Sequence, residues 1–305
     1  MNKTSNNIKG VGFLVLALLI ISLQNIVIKW IGGDYPILEI VFFRSLIALP
    51  CSILFFRLEG KKGLPSTQQH KLEYARGFFL FLSYITYLMG LAALPLSEIE
   101  ALRFSTPMMI TILSVVILGE KVNLSRWLAL IVGFVGVLIV IRPGSATFNI
   151  GSIFVLISVL FYAFTVITTR KLQTSESSAT MAYFSAVVYL VAASVFAPLT
   201  IVVGEIPNAH ASIDFLFRSW AMPSLLDWII MSGLGLVWAG WTYFFAKAYS
   251  LAQASFAAPF EYISLPINVL WGFIIWQEIP ILTTIIGALL TISSGIYILF
   301  RERKL

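Results

Sequence analysis

Ten apolar runs, each long enough to cross a bilayer and separated by short polar breaks, constrain this chain more than any other feature. A helical crossing needs about 20 mainly apolar residues. The runs fall near residues 10–31, 36–56, 74–93, 96–118, 125–141, 150–171, 179–202, 225–250, 255–276 and 280–300. Between them lie turn sequences: Gly32-Gly33-Asp34-Tyr35-Pro36, Arg142-Pro143-Gly144-Ser145 and the capping residues Asn123 and Ser125. The longest break, residues 204–224, holds the amphipathic stretch Phe215-Leu216-Phe217-Arg218-Ser219-Trp220, expected to lie along the interface. The first run is too long for a signal-peptide core and lacks a small-residue cleavage site, so it reads as a retained span.

Composition points the same way. Only 11% of the 305 residues are charged, against about 25% in a soluble domain. That argues against a soluble enzyme, a disordered tail and a nucleic-acid binder. The basic residues sit in short clusters between apolar runs, not in one patch. Cys51 is the only cysteine, which excludes an internal disulfide and a cysteine metal cluster. His70 and His210 both fall in connecting stretches, so no metal site and no cofactor are expected.

The same clusters orient the chain. With an internal amino terminus, fourteen of the 20 Lys and Arg fall on the cytoplasmic side, including Lys61, Lys62, Lys121, Arg170, Lys171 and Arg301. Lys29, Arg142 and Arg218 fall outside, and Arg44, Arg103 and Lys247 within spans. Both termini are therefore expected in the cytoplasm of a multi-pass protein of the cell (inner) membrane.

An internal repeat divides the chain. Leu118-Gly119-Glu120 through Gly136 to Arg142 corresponds to Trp276-Gln277-Glu278 through Gly295 to Arg301, and Pro107 to Pro266. Near the start of each half, Gly10, Lys29 and Phe43 correspond to Gly151, Arg170 and Phe184. Residues 1–146 and 147–305 then hold five helices each. An odd number makes the second half cross upside down, giving an all-α membrane fold of ten helices in two inverted repeats, with a site at their interface.

The run Pro36-x-x-Glu39-Ile-x-Phe-Phe43-Arg44, then Ala101-Leu-x-x-x-Thr106-Pro107, Leu118-Gly-Glu120-Lys121, Gly133-x-x-Gly136-Val and Pro143-Gly144 resembles the EamA-type drug/metabolite transporters. The resemblance covers essentially the whole chain and is clearer in the first half. It implies a ten-helix carrier of small organic metabolites with a central cavity and no ATPase. The first half looks closest to bacterial members linked to riboflavin-like or other metabolite uptake. Short multidrug relatives carry one acidic residue in the first helix; here that helix has Gln24 and Asn25 and no carboxylate.

Charged residues inside spans cost about 2.5–3.5 kcal/mol each on insertion scales, so each needs a reason. Arg44 and Arg103 lie roughly 10–12 Å into their helices, and Glu100 shares a face with Arg103. They read either as a structural ion pair or as an anion clamp, for which the planar guanidinium suits a carboxylate. Glu261 occupies the repeat position of Arg103, with Tyr262 the alternative at a one-residue shift, and is the candidate coupling group. Lys247, its expected basic neighbour, reads mainly as a snorkelling amine. Trp238 and Trp241 share one helix face, and Tyr84 and Tyr87 pair likewise on the matching third helix. They serve bundle packing or a stacking wall for a flat ligand. Gln24, Asn25, Ser105 and Thr106 add polar groups suited to a cavity. Gly133, Gly136, Gly287 and Ser294 suit close helix packing.

These features favour a secondary active transporter that moves a small metabolite (amino-acid-like or vitamin/cofactor-like) by alternating access. The expected partners are a small-molecule substrate, the bilayer and a proton as coupling ion, with no nucleic acid; the carrier is expected to work as a monomer. A multidrug exporter is the near alternative. A membrane-embedded lipid or metabolite transferase would need a nucleophile–base cluster, and a channel a filter loop. The sequence offers neither.

Overall fold

A computed structural model describes residues 3–31, 35–94, 99, 102–141, 150–206, 210–217 and 219–277, with separate positions between 282 and 297. Among the described residues every regular element is a helix: α1 (Lys3–Ile31), α2 (Ile37–Leu58), α3 (His70–Leu91), α4 (Thr106–Leu118), α5 (Leu124–Ile141) and α6 (Ile150–Leu172). There follow α7 (Ser178–Val203), α8 (Ala211–Phe217), α9 (Leu225–Leu251), α10 (Ala254–Ala257), a 3-10 turn (Ala258–Ile263) and α11 (Ser264–Trp276).

The helix starts follow capping chemistry. Ser177 accepts the Thr180 N–H at 3.2 Å, and Ser224 accepts that of Asp227 at 3.2 Å. Pro36, in extended conformation, precedes α2. Glu39 in the first turn of α2 reaches across to accept the Ala221 N–H at 3.2 Å.

Among the described residues, α1, α2, α6, α7, α9 and the broken segment 254–275 are long and apolar enough to cross a membrane, and α4 and α5 add shorter apolar segments. Val116, Leu128, Leu199, Val202, Leu236 and Phe273 stand exposed on these helices. A soluble surface would not carry such a belt; lipid tails solvate it. The chain is a multi-pass membrane protein. Inside, α1 packs on α9, α3 on α6, α2 on α7 and α9, and α7 on α3. Backbones approach closely where side chains vanish: a Cβ on Gly235 would lie 2.7 Å from the Arg44 carbonyl oxygen.

Two expected spans are not continuous helices. In the run 96–118, α4 begins only at Thr106, with Pro107 in its first turn. The run 255–276 is split into α10, the 3-10 turn and α11. The prolines account for the breaks, since Pro107, Pro259 and Pro266 lack an N–H and clash with the preceding turn. Helix α1, by contrast, starts seven residues earlier than the apolar pattern, and in that extension the Asn7 side chain accepts the Gln253 N–H at 3.0 Å. The amphipathic stretch after residue 210 forms the short α8, and Phe215, Leu216 and Trp220 pack against the core. Arg76, one of the fourteen basic residues assigned to the cytoplasmic side, is buried between helices, donating to Thr169 at 2.7 Å, the Met181 carbonyl at 2.8 Å and Ser185 at 2.7 Å. Glu100, the turns at 32–34 and 142–145, Arg218, Glu278, Gly287, Ser294, Gly295 and Arg301 lie outside the described residues, as do the side chains of Asn25 and Lys29.

Candidate substrate site

The two broken segments meet at an open cavity whose atom-free space, open solvent included, is about 1050 Å³. One wall is aromatic. Trp238 and Trp241, one turn apart on α9, face it together with Tyr84 from α3 and Tyr189 from α7. Trp238 and Tyr189 rings stand 4.6 Å apart, and Trp241 stacks on Phe245 at 5.3 Å. The Tyr84 hydroxyl is buried with no hydrogen-bond partner, which leaves it a donor for whatever enters.

The other wall is charged. Glu261, held in the 3-10 turn, accepts the Tyr249 hydroxyl at 2.8 Å and the Tyr162 hydroxyl at 3.0 Å. Arg103, just before α4, lines the cavity with its guanidinium 4.8 Å from the Tyr87 ring centre and within electrostatic reach of Glu261. Arg103 stands immediately before the turn at residues 104–105, and Glu261 lies in the 3-10 turn, so both groups reach the cavity beside a break in their segments. Thr106 lines it beside them; Ser83 and Ser158 face each other at 3.3 Å.

Arg44 occupies a different layer. It is 1% exposed and is absent from the cavity lining. Its Nη1 donates to the Gln24 Oε1 at 3.1 Å, and its guanidinium lies 4.4 Å from the Tyr84 ring, 5.1 Å from Trp238 and 5.7 Å from Tyr189. Arg44 lies against the wall rings in cation–π contact, and its Nε and Nη2 have no hydrogen-bond partner among the described residues. Gln24 does line the cavity.

Three further expectations change. Lys247 pairs with Glu59 at 3.7 Å and lies over Tyr243, so the cation facing Glu261 is Arg103. Tyr262 is fully buried against Phe104 and Leu130, its hydroxyl 3.3 Å from the Phe104 carbonyl, and packs the turn onto α5. The Ser105 hydroxyl bonds to the Leu102 carbonyl at 2.5 Å. The sequence pattern does not single out Tyr162 or Tyr189. A tyrosine deep in a span carries the signal, because its hydroxyl needs a partner there.

Residues 8–142 match the model of the EamA-like transporter family. The "S-adenosylmethionine uptake transporter" of Rickettsia prowazekii (strain Madrid E) is 26% identical over 97% of this chain and 94% of its own. The "Riboflavin transporter" of Vibrio cholerae is 27% identical over 97% and 95%. The "Pseudopaline exporter CntI" of Pseudomonas aeruginosa is 26% identical over 94% of each. A solved crystal structure with 14% identity superposes with a TM-score of 0.75 over 97% of this chain and 98% of that one. The relatives are transporters, not enzymes. The chain is a membrane transporter that carries an EamA-like domain over residues 8–142 and aligns nearly end to end with small-metabolite carriers of the drug/metabolite transporter superfamily.

Proposed function

We propose that the chain is a secondary carrier for an amphoteric metabolite that joins a flat ring to an amino-acid-like group, of which S-adenosylmethionine is the model. The observation that carries this reading is the opposition of Arg103 and Glu261 beside an aromatic wall in one cavity. Arg103 takes the carboxylate of the ligand, Glu261 its cationic group, and Trp238, Trp241 and Tyr84 its ring. The names of the relatives point to the same class. A multidrug exporter would need less opposed charge and a more plastic wall.

The carrier works by alternating access of two inverted five-helix repeats, residues 1–146 and 147–305, as a monomer. Its packing supports this reading. Exchanging α1 with α6, α2 with α7, α3 with α9 and α4 with α11 maps the α1–α9 contact onto α6–α3, α2–α9 onto α7–α3, and α4–α6 onto α11–α1. Both termini face the cytoplasm, in the inner membrane, and a proton on Glu261 is the coupling candidate. Proteoliposomes loaded with unlabelled S-adenosylmethionine test the whole reading. A carrier of this class accumulates labelled S-adenosylmethionine by counterflow and saturates. Linear, non-saturating flux would mean a channel, and counterflow with riboflavin alone would move the substrate class.

A further inference from the structure

At the end of the bundle that carries the amino terminus, one carboxylate ties the two halves of the chain together. Glu120 follows Gly119, which ends α4 in the left-handed conformation at φ +65°. Its Oε1 accepts the Ala254 N–H at 3.0 Å. Its Oε2 accepts both the N–H of Ser255, at 2.9 Å, and the hydroxyl of Ser255, at 2.5 Å. Arg170 stands 3.7 Å from the same carboxylate and donates to the Ser250 carbonyl at 3.0 Å. Arg126 lies over the Phe256 ring at 5.4 Å, with its Nη1 3.4 Å from the Ser255 hydroxyl.

These groups lie on one side of the cavity. At 1.5 Å per residue, Arg170 is about 12 Å beyond Tyr162, Ser250 about 14 Å beyond Trp241, and Leu118 about 18 Å beyond Thr106. Asn7, which binds Gln253, precedes the cavity residue Leu18 by about 17 Å on α1. The knot is polar and is made mainly of hydrogen bonds to one carboxylate. Such bonds are strong when formed and can be exchanged for water when broken. It also grips the same broken segment that holds Glu261, six residues beyond Ser255.

We infer that Glu120 is the latch that closes this end of the cavity, and that letting go of Ala254 and Ser255 is the step that opens the cavity to that face. A ligand that draws Glu261 toward itself pulls on the short segment ending at Ser255, and so biases the latch. Glu120 is therefore a positioning residue for transport, acting on the access path and not on the ligand. The inference rests on the carrier reading above.

The test uses the whole chain in vesicles, with Cys51→Ser as background and Asn268→Cys as a reporter on the cavity wall. The readout is the rate of alkylation by an impermeant maleimide applied to each face separately. Glu120→Gln should raise labelling from the amino-terminal face at least tenfold and lower it from the other. Arg170→Gln and Ser255→Ala, which leave the carboxylate in place, should move labelling the same way by smaller factors. Unchanged labelling in all three, with normal size-exclusion profiles, overturns the latch. If Glu120→Gln does not fold, an unchanged Ser255→Ala alone overturns it. A parent protein that gives no counterflow while the variants still shift labelling refutes the carrier reading and leaves the latch standing. Counterflow with no labelling shift does the reverse.

Discussion

The Tyr249 hydroxyl donates to Glu261 across 2.8 Å and ties α9 to the 3-10 turn at the cavity. Tyr162 donates to the same carboxylate oxygen from α6 at 3.0 Å. Hydrogen bonds to a charged group contribute about 1.5–3 kcal/mol. Tyr249→Phe should therefore lower thermal stability by about that much in detergent, and Tyr162→Phe by a similar amount. The double variant should cost more than the sum, because the second hydroxyl matters most once the first is gone. Strict additivity in a thermal-unfolding cycle would mean that the two bonds act independently.

Arg103 and Arg44 should separate in kinetics. Arg103 faces the cavity, and removing one partner of a buried charge pair costs about 2–5 kcal/mol. Arg103→Gln should raise KM at least tenfold. Arg44→Lys keeps the charge beneath the wall but loses the planar stacking on Tyr84 and Trp238. It should lower stability by about 0.5–2 kcal/mol while KM changes less than threefold. The opposite pattern would return the anion clamp to Arg44.

Two glycines on α1 should respond in opposite directions. A Cβ on Gly10 would lie 2.5 Å from the Ala252 Cβ and 2.8 Å from the Ala248 carbonyl oxygen, where α1 and α9 touch. A Cβ on Gly12 would meet nothing within 4 Å. Gly10→Ala should destabilise by about 1–3 kcal/mol. Gly12→Ala should stabilise by up to about 1 kcal/mol through helix propensity. Melting curves of the two variants check it, and equal shifts would contradict the close packing of α1 on α9.

The sequence makes the membrane class and most helix positions legible, because length and hydropathy alone decide what lipid accepts. It also marks Arg103, Glu261, Tyr84, Trp238 and Trp241, since groups that are costly in lipid must turn inward. It does not reveal layers. Arg44 and Arg103 look equivalent by depth along a helix, yet Arg103 lines the charged wall of the cavity while Arg44 packs on the rings of the aromatic one. Rotation about the helix axis and the identity of the neighbouring helix decide that, and neither is written in a single run. Lys247 illustrates the same point: its partner, Glu59, stands just past the end of α2, which sequence spacing cannot pair with it. The family motifs around Glu39 and Glu120 read as signatures only. In the structure both carboxylates accept backbone N–H groups from the other half of the chain.

Orientation is testable without any transport assay. The positive-inside count puts residues 3 and 304 in the cytoplasm. In a Cys51→Ser background, Lys3→Cys and Lys304→Cys should resist an impermeant thiol reagent on intact cells and react in inside-out vesicles. Labelling of either position on intact cells would invert the topology.

The last prediction concerns Glu261. It is the cavity carboxylate among the described residues, and three groups face it: the Tyr162 and Tyr249 hydroxyls and the Arg103 guanidinium. Two neutral donors and one cation favour the ionised form, while the surrounding apolar helices disfavour it. In the proposed carrier this is the group whose protonation would follow the exposure of the cavity, as coupling to a proton requires. Glu261→Gln fixes the neutral form and keeps an acceptor for one tyrosine. It should abolish accumulation driven by a pH gradient while counterflow continues at a rate within about tenfold of the parent, since exchange needs no net proton movement. Parent and variant, reconstituted side by side with and without an imposed gradient, give the comparison. A variant that still accumulates substrate in response to the gradient would exclude Glu261 as the proton carrier. Loss of both activities in a folded variant would show that the charge of Glu261, through its grip on the cationic group of the substrate, is needed for exchange itself.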